Sequence, residues 1–201
     1  MKRRTLDLLF SVGGAAMAVL LLVLGLVLQA NANFASDYVR EQLSQQRINF
    51  TPADKLSDEE KKADCLVDNA GKPLETGKQA ECYANEYIGL HLSETNDGKT
   101  YSETSAEARP ARAAADEARD AGAPDAEELN AKATALEGKV QTLFRGESLR
   151  GLLLTSYGFS VFGEKAEQAS VVCFLVAAVL ALAAIAGFVH AFTRKETEMV
   201  V

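Results

Sequence analysis

The chain has 201 residues, of which 48% are hydrophobic and 24% charged, with a formal net charge of −7 and a mean hydropathy of −0.03. Averages like these describe a soluble domain, yet the apolar residues are concentrated rather than spread. Two runs, Leu8–Leu28 and Ala169–Val189, contain no charged residue. At 21 residues each, they make about 31 Å of helix, the thickness of a bilayer core. That excludes a simple soluble enzyme.

The first element in chain order is therefore a predicted membrane helix over 8–29, preceded by a cytoplasmic tail over 1–7. Lys2, Arg3 and Arg4 precede this run, and Arg194 and Lys195 follow the second. Lys and Arg concentrate on the cytoplasmic side of spans, so both ends are expected inside. Two spans require the same arrangement. The competing reading is a cleaved signal peptide, with Ala30-Asn31-Ala32 as a small-x-small cleavage pattern. The run is longer than a signal-peptide core of about 7–15 residues, which favours a retained anchor.

Residues 30–168 are then extracytoplasmic, with 16 Lys and Arg against 25 Asp and Glu, a net charge of about −9. That acidity disfavours nucleic acid as a partner. Phe34, Ala35, Tyr38, Val39 and Leu43 recur at helical spacing, so the first helix is expected to continue to about Arg47. Ser57 with Glu60 makes a capping-box pattern, and a short helix is predicted over 58–64. Residues 66–78, with Asn69-Ala70-Gly71 and Pro73, read as a loop.

Cys65 and Cys82 enclose that loop on the oxidising side of the membrane. A disulfide is the expected state there; two unrelated thiols are the alternative. No further Cys or His stands near them in sequence to complete a zinc site. Ala80, Tyr83, Ala84, Tyr87, Ile88 and His91 fall on one helical face, and Asn96-Asp97-Gly98 marks a turn.

Residues 105–123 are rich in Ala, Glu and Arg and lack large apolar residues, which predicts a peripheral helix. Gly122-Ala123-Pro124 breaks it. Leu129, Leu136, Val140, Leu143 and Phe144 then follow near-heptad spacing and read as a small bundle core. Residues 149–163 are apolar and aromatic but short for a span. Three readings stand for them: an interfacial segment, a cap on the domain core, or a partner-docking patch. The candidate docking residues are Leu149, Leu152, Leu153, Tyr157, Phe159 and Phe162. The second membrane helix is predicted over 169–191, with a cytoplasmic tail over 192–201.

Small residues let membrane helices approach closely, and Gly14 and Ala18 in the first span with Ala183 and Gly187 in the second are the candidate packing positions. Neither span carries an acidic or basic residue at mid-depth, which disfavours an ion pathway. The two histidines, His91 and His190, are expected on opposite sides of the bilayer and cannot share a metal. No nucleophile elbow or phosphate-binding glycine loop occurs. No catalytic residue, metal site or cofactor is expected.

Several stretches carry a resemblance: Arg3-Arg4-Thr5-Leu6-Asp7, Asn33-Phe34-Ala35 through Tyr38-Val39, and Phe50-Thr51-Pro52-Ala53-Asp54. Cys65 and Cys82 with Ala84-Asn85-Glu86-Tyr87-Ile88, and Leu149 to Gly163, carry it further. Together they cover most of the chain outside the Ala-rich insert. The chain resembles a family of small two-span actinobacterial membrane proteins of uncharacterised function, whose members are sometimes labelled aromatic ring-opening dioxygenases. The resemblance implies the topology above. Oxygenases of that kind hold non-haem iron through histidine and carboxylate ligands, a set two separated histidines cannot furnish.

The expectation is an all-α membrane protein, with two transmembrane helices flanking a small disulfide-stapled extracytoplasmic domain in the plasma membrane. The expected role is a non-catalytic scaffold or accessory subunit in contact with the bilayer and other membrane or envelope proteins. A larger membrane complex such as a respiratory assembly would suit as host, although no residue selects it. The alternatives are an extracytoplasmic sensor or ligand-binding module and, less favoured, an enzyme.

Overall fold

A computed structural model describes residues 3–193, and within them the regular structure is entirely helical. The expectations for Lys2, Arg194 and Lys195 concern residues outside that range. Helix α1 spans Arg3–Gln46, α2 Asp64–Asn69, α3 Gly77–Cys82, α4 Gly89–Ser93, α5 Tyr101–Asp120 and α6 Ala126–Thr193. The chain divides into two compact units. A helix-pair unit holds Met1–Tyr38 and Ser160–Val201, and a central unit holds Val39–Phe159.

The helix-pair unit is built on small residues. Ser11, Ala18 and Ala32 are buried on α1, and Ser170, Ala177, Ala184 and Ala191 on α6. Gly25 and Gly163 are buried in the same two rows, so each row repeats every seventh residue. A strict heptad of small side chains makes a close-packed seam, the repeat that accompanies left-handed supercoiling. The helices run antiparallel. Gly14 lies against Ala184, Gly25 against Phe174, Ala35 against Gly163, and Gly187 against Ser11. Ser170 Oγ donates to the carbonyl of Gly25 at 2.9 Å, a hydrogen bond from helix to helix. At the end carrying the termini, His190 Nδ1 lies 2.9 Å from Asp7 Oδ2.

Three of the four expected packing positions lie on this seam: Gly14, Ala18 and Gly187. Ala183 does not. It is exposed, and Ala184, one residue and about 100° further round the helix, takes its place. The expectation paired Ala183 with Gly187 by four-residue spacing, whereas the seam follows the seven-residue repeat.

A Cβ at Gly163 would stand 2.9 Å from Ala35 Cβ and 3.5 Å from the carbonyl oxygen of Ala32. Those partners are backbone or Cβ atoms and cannot swing aside. Gly163→Leu is therefore expected to cost the helix pair about 1–3 kcal/mol, the usual range for overpacking. The check is the thermal stability of purified full-length variants. Gly13→Leu, where nothing lies within 4 Å, should melt like the native chain.

The central unit takes in the last turns of α1, from Val39 to Gln46. Arg47 adopts a left-handed φ of 51° and turns the chain. Residues 48–51 then pair antiparallel with 71–74. Phe50 N–H donates to the Lys72 carbonyl at 3.0 Å, and Leu74 N–H to that of Ile48 at 2.9 Å. This pairing places Phe50 and Leu74 inside the core. The short helix expected over 58–64 instead divides into a 3₁₀ turn, Glu60–Lys62, and α2. Residues 66–69 belong to α2, contrary to the loop reading of 66–78, because Asn69 Nδ2 donates to the Cys65 carbonyl and Gly71 turns the chain with φ 72° only afterwards.

Helix α5 is capped by Thr100 and Glu103 in a reciprocal capping box. It does not pack with large side chains, as its composition predicted, but it buries Thr104, Ala108, Ala115 and Ala118. Alanines let it lie close to α6, where Ala133 is buried. Arg112 closes the contact, with Nε and Nη2 donating to the two carboxylate oxygens of Glu137 at 2.7 and 2.6 Å. That fork holds the Glu137 carboxyl below the usual carboxylate range. Along α6 the expected near-heptad row is present in part: Leu143 is buried, Leu129, Leu136 and Val140 are half-buried, and Phe144 is exposed beside Tyr101. The main core gathers Val39, Leu43, Phe50, Leu66, Leu74, Ala80, Ile88, Leu92, Leu143 and Leu153.

Candidate functional site

Cys65 and Cys82 form the expected disulfide, with Cα atoms 6.1 Å apart. It joins α2 to α3. Beside it, Thr76 and Gln79 form a capping box at the start of α3, and Gln79 Nε2 also donates to Asn69 Oδ1 of α2 at 3.1 Å. The bridge therefore ties down a junction that polar contacts have already aligned.

Helix α3 runs into a π-helical turn, Tyr83–Ile88, before α4 begins. Single π turns are uncommon and often accompany function. Here the wider turn lets the residues at 83, 87 and 91 stand in one row across the change of pitch. Tyr83 and Tyr87 rings lie 4.6 Å apart, Tyr87 and His91 4.5 Å apart, and Phe50 meets Tyr83 edge-on at 5.3 Å. The predicted face divides accordingly: Ala80, Ala84 and Ile88 are buried, Tyr83 and Tyr87 half-buried, and His91 is exposed at the end of the row.

Glu60 flanks this row and is itself buried. Its Oε2 accepts from Ser57 N–H at 2.7 Å, and its own N–H donates to Ser57 Oγ, the capping box read from the sequence. Its Oε1 lies 4.0 Å from His91 Nε2. His91 Nδ1 donates to the Tyr87 carbonyl at 2.7 Å, which fixes the ring with Nε2 toward the carboxylate. Burial, reinforced by Tyr87 and Glu60, pushes the Tyr83 hydroxyl up to about 12.

The neutral phenol is thus favoured in the folded chain. Its stabilisation is full below the ordinary tyrosine value of 10 and is lost as pH rises through about 12. In an ultraviolet titration, Tyr83 is expected to ionise well above the ordinary tyrosine value, at about 12, and Tyr83→Phe should remove that late step. A native titration that Tyr83→Phe leaves unchanged at high pH would contradict the burial argument.

Glu60 and His91 offer one carboxylate and one imidazole. Among the described residues, no group of three or more His, Cys, Asp or Glu side chains converges as a metal site requires. A groove of about 570 Å³ lies between α5 and α6, lined by Tyr101, Ser105, Ala108, Arg109, Arg112 and Val140. Its size falls within the range of small-molecule sites. Arg112 is committed to Glu137, Asn130 and Thr134. Arg109 donates through Nε to the Ser105 carbonyl. No sequence motif signalled this groove, because it is formed by two helices meeting.

The 149–163 stretch is no separate segment; it lies within the continuous helix α6. Its candidate docking residues do not act together. Leu153 is 3% exposed and belongs to the core of the central unit, so its assignment to docking is corrected. Tyr157 is half-buried. Leu149, Leu152 and Phe159 are exposed on the central unit, and Phe162 is exposed on the helix-pair unit. Helical rotation explains the division, since Leu152 and Leu153 differ by about 100°. No protein family matches the chain, and no curated protein or solved structure is significantly similar to it.

Proposed function

We propose that this chain is a two-span membrane protein acting as a non-catalytic scaffold or accessory subunit. One observation carries the membrane reading. In the helix-pair unit the large apolar side chains face outward and small residues fill the inside. Leu9, Val19, Leu22 and Leu26 on α1 and Val172, Leu175, Val179 and Leu182 on α6 are all exposed. A soluble helix pair buries such residues. Only 17% and 11% of the most apolar windows of α1 and α6 are buried. Apolar surface of that extent calls for an apolar solvent, and lipid supplies one. The basic flanks favour both termini in the cytoplasm and residues 30–168 outside, as in the two-span actinobacterial family that the sequence resembles.

The scaffold reading rests on the exposed Leu149 and Leu152 of the central unit. Its test is gentle extraction of tagged protein at native expression, followed by mass spectrometry of co-purifying chains. A defined membrane or envelope partner that is lost with Leu152→Asp is expected. A chain that runs as a lone monomer would overturn the reading. A second reading, a ligand-binding module, draws on the α5–α6 groove, where Arg109 beside apolar Ala108 and Val140 suits a small organic acid. A thermal shift with such acids that disappears in Arg109→Ala would favour it.

A further inference from the structure

The exposed aromatic residues of the helix-pair unit lie toward its two ends. At the end carrying the termini, Phe10 on α1 and Phe192 on α6 are exposed, and the Arg4 guanidinium carbon lies 5.9 Å from the centroid of the Phe192 ring. At the opposite end, Phe34 stacks on Tyr38 with ring centroids 5.7 Å apart, and both are exposed. Phe162, 76% exposed, is at the same level, because Gly163 faces Ala35 across the seam.

The spacing between the two ends follows from the helices themselves. Phe10 to Phe34 is 24 residues of α1, or about 36 Å. Phe162 to Phe192 is 30 residues of α6, or about 45 Å. A bilayer core is about 30 Å thick, and about 40–45 Å with its headgroups. The rings at the two ends are thus about one bilayer apart, with Phe192 about 6 Å farther out than Phe10, since Gly187 faces Ser11. Polar residues stand just inside the Phe34–Phe162 level: Gln29, Asn31 and Asn33 on α1, and Glu164, Lys165 and Glu167 on α6. They suit a headgroup layer and not hydrocarbon.

We propose that Phe34, Tyr38 and Phe162 form an aromatic belt in the lipid headgroup layer, with Phe10 and Phe192 as its counterpart at the other face. Tyr is among the residues enriched at the membrane–water boundary, where its amphipathic ring anchors a helix in depth; Phe34 stacks on Tyr38 and shares its position. The belts would set the depth of the hairpin. This also assigns Phe162 to lipid, apart from the docking residues of the central unit. The inference rests on the membrane reading above.

The chain contains no tryptophan, so single substitutions report cleanly by fluorescence. Full-length Phe34→Trp, Phe162→Trp and Leu20→Trp would be reconstituted in phosphatidylcholine–phosphatidylglycerol vesicles carrying a nitroxide either near the headgroup or deep in the acyl chain. Leu20 is exposed midway along the first apolar run and serves as the depth control. The belt predicts roughly twofold stronger quenching of Phe34→Trp and Phe162→Trp by the shallow label than by the deep one, with the order reversed for Leu20→Trp. If Leu20→Trp follows the deep label while the other two are unquenched, the belt is overturned and the membrane reading stands. Blue-shifted emission in that case would indicate protein covering the rings, and red-shifted emission would indicate water. If Leu20→Trp is itself unquenched by both labels, the membrane reading fails and the belt with it.

Discussion

Replacing Cys65 and Cys82 together by alanine is expected to destabilise the central unit by about 3 kcal/mol, the chain-entropy value for a loop of this size. The bridge spans 17 positions and joins α2 to α3 directly beside Leu66 and Leu74, two of the most completely buried side chains. Without it, the unfolded chain gains the freedom of that loop while the folded chain keeps its contacts. For a unit of this size, 3 kcal/mol corresponds to a fall in melting temperature on the order of 10 °C. Near-UV circular dichroism of the detergent-purified protein, with and without reductant, would measure it. Reduction of the native chain should reproduce most of the loss, and the alanine pair should not respond to reductant. A change below about 1 kcal/mol would mean that the polar junction of Thr76, Gln79 and Asn69 holds α2 and α3 unaided.

The second large effect separates two neighbouring residues. Leu143 is 2% exposed and sits in the core, whereas Phe144 is 53% exposed beside Tyr101. Leu143→Ala is expected to cost about 3–4 kcal/mol, because it removes buried methyl groups and leaves a cavity between α6 and the π-turn region. Phe144→Ala should cost less than about 1 kcal/mol, as surface positions usually do. Urea titration of the two variants would compare them directly. Equal losses would contradict the rotation of α6 described above.

Residue type and spacing in the sequence carried the outline of this fold. The charge-free runs, the disulfide, the Ser57–Glu60 cap and the turn at Asn96–Gly98 all depend on local chemistry, and each is present in the structure. What local chemistry did not convey was phase. Ala183 stands one position from the seam residue Ala184, and Leu153, named with exposed Leu152, turns inward, because sequence spacing tolerates an offset of about 100° until a partner helix chooses the face. The heptad of small residues could have chosen it: Gly163, Ser170, Ala177, Ala184 and Ala191 form a complete row.

The features made by residues distant in sequence were not legible. The pairing of 48–51 with 71–74 brings a stretch that read as loop against one that carried no periodic pattern. The α5–α6 groove depends on how closely alanines allow two helices to pack. The π turn has no composition signature, and its row of Tyr83, Tyr87 and His91 first read as an ordinary helical face. Continuity was misjudged as well. The 149–163 stretch read as an apolar segment separate from the second span, but Glu164, Lys165 and Glu167 between them favour helix as readily as apolar residues do, and α6 continues through them.

The central claim is that α1 and α6 are both retained as a membrane hairpin. Intact mass spectrometry of the protein left in the membrane pellet after alkaline carbonate washing tests it most directly. The account predicts a pelleted chain that still contains residues 8–29. A chain shortened after the Ala30-Asn31-Ala32 pattern, or one released into the wash, would contradict it.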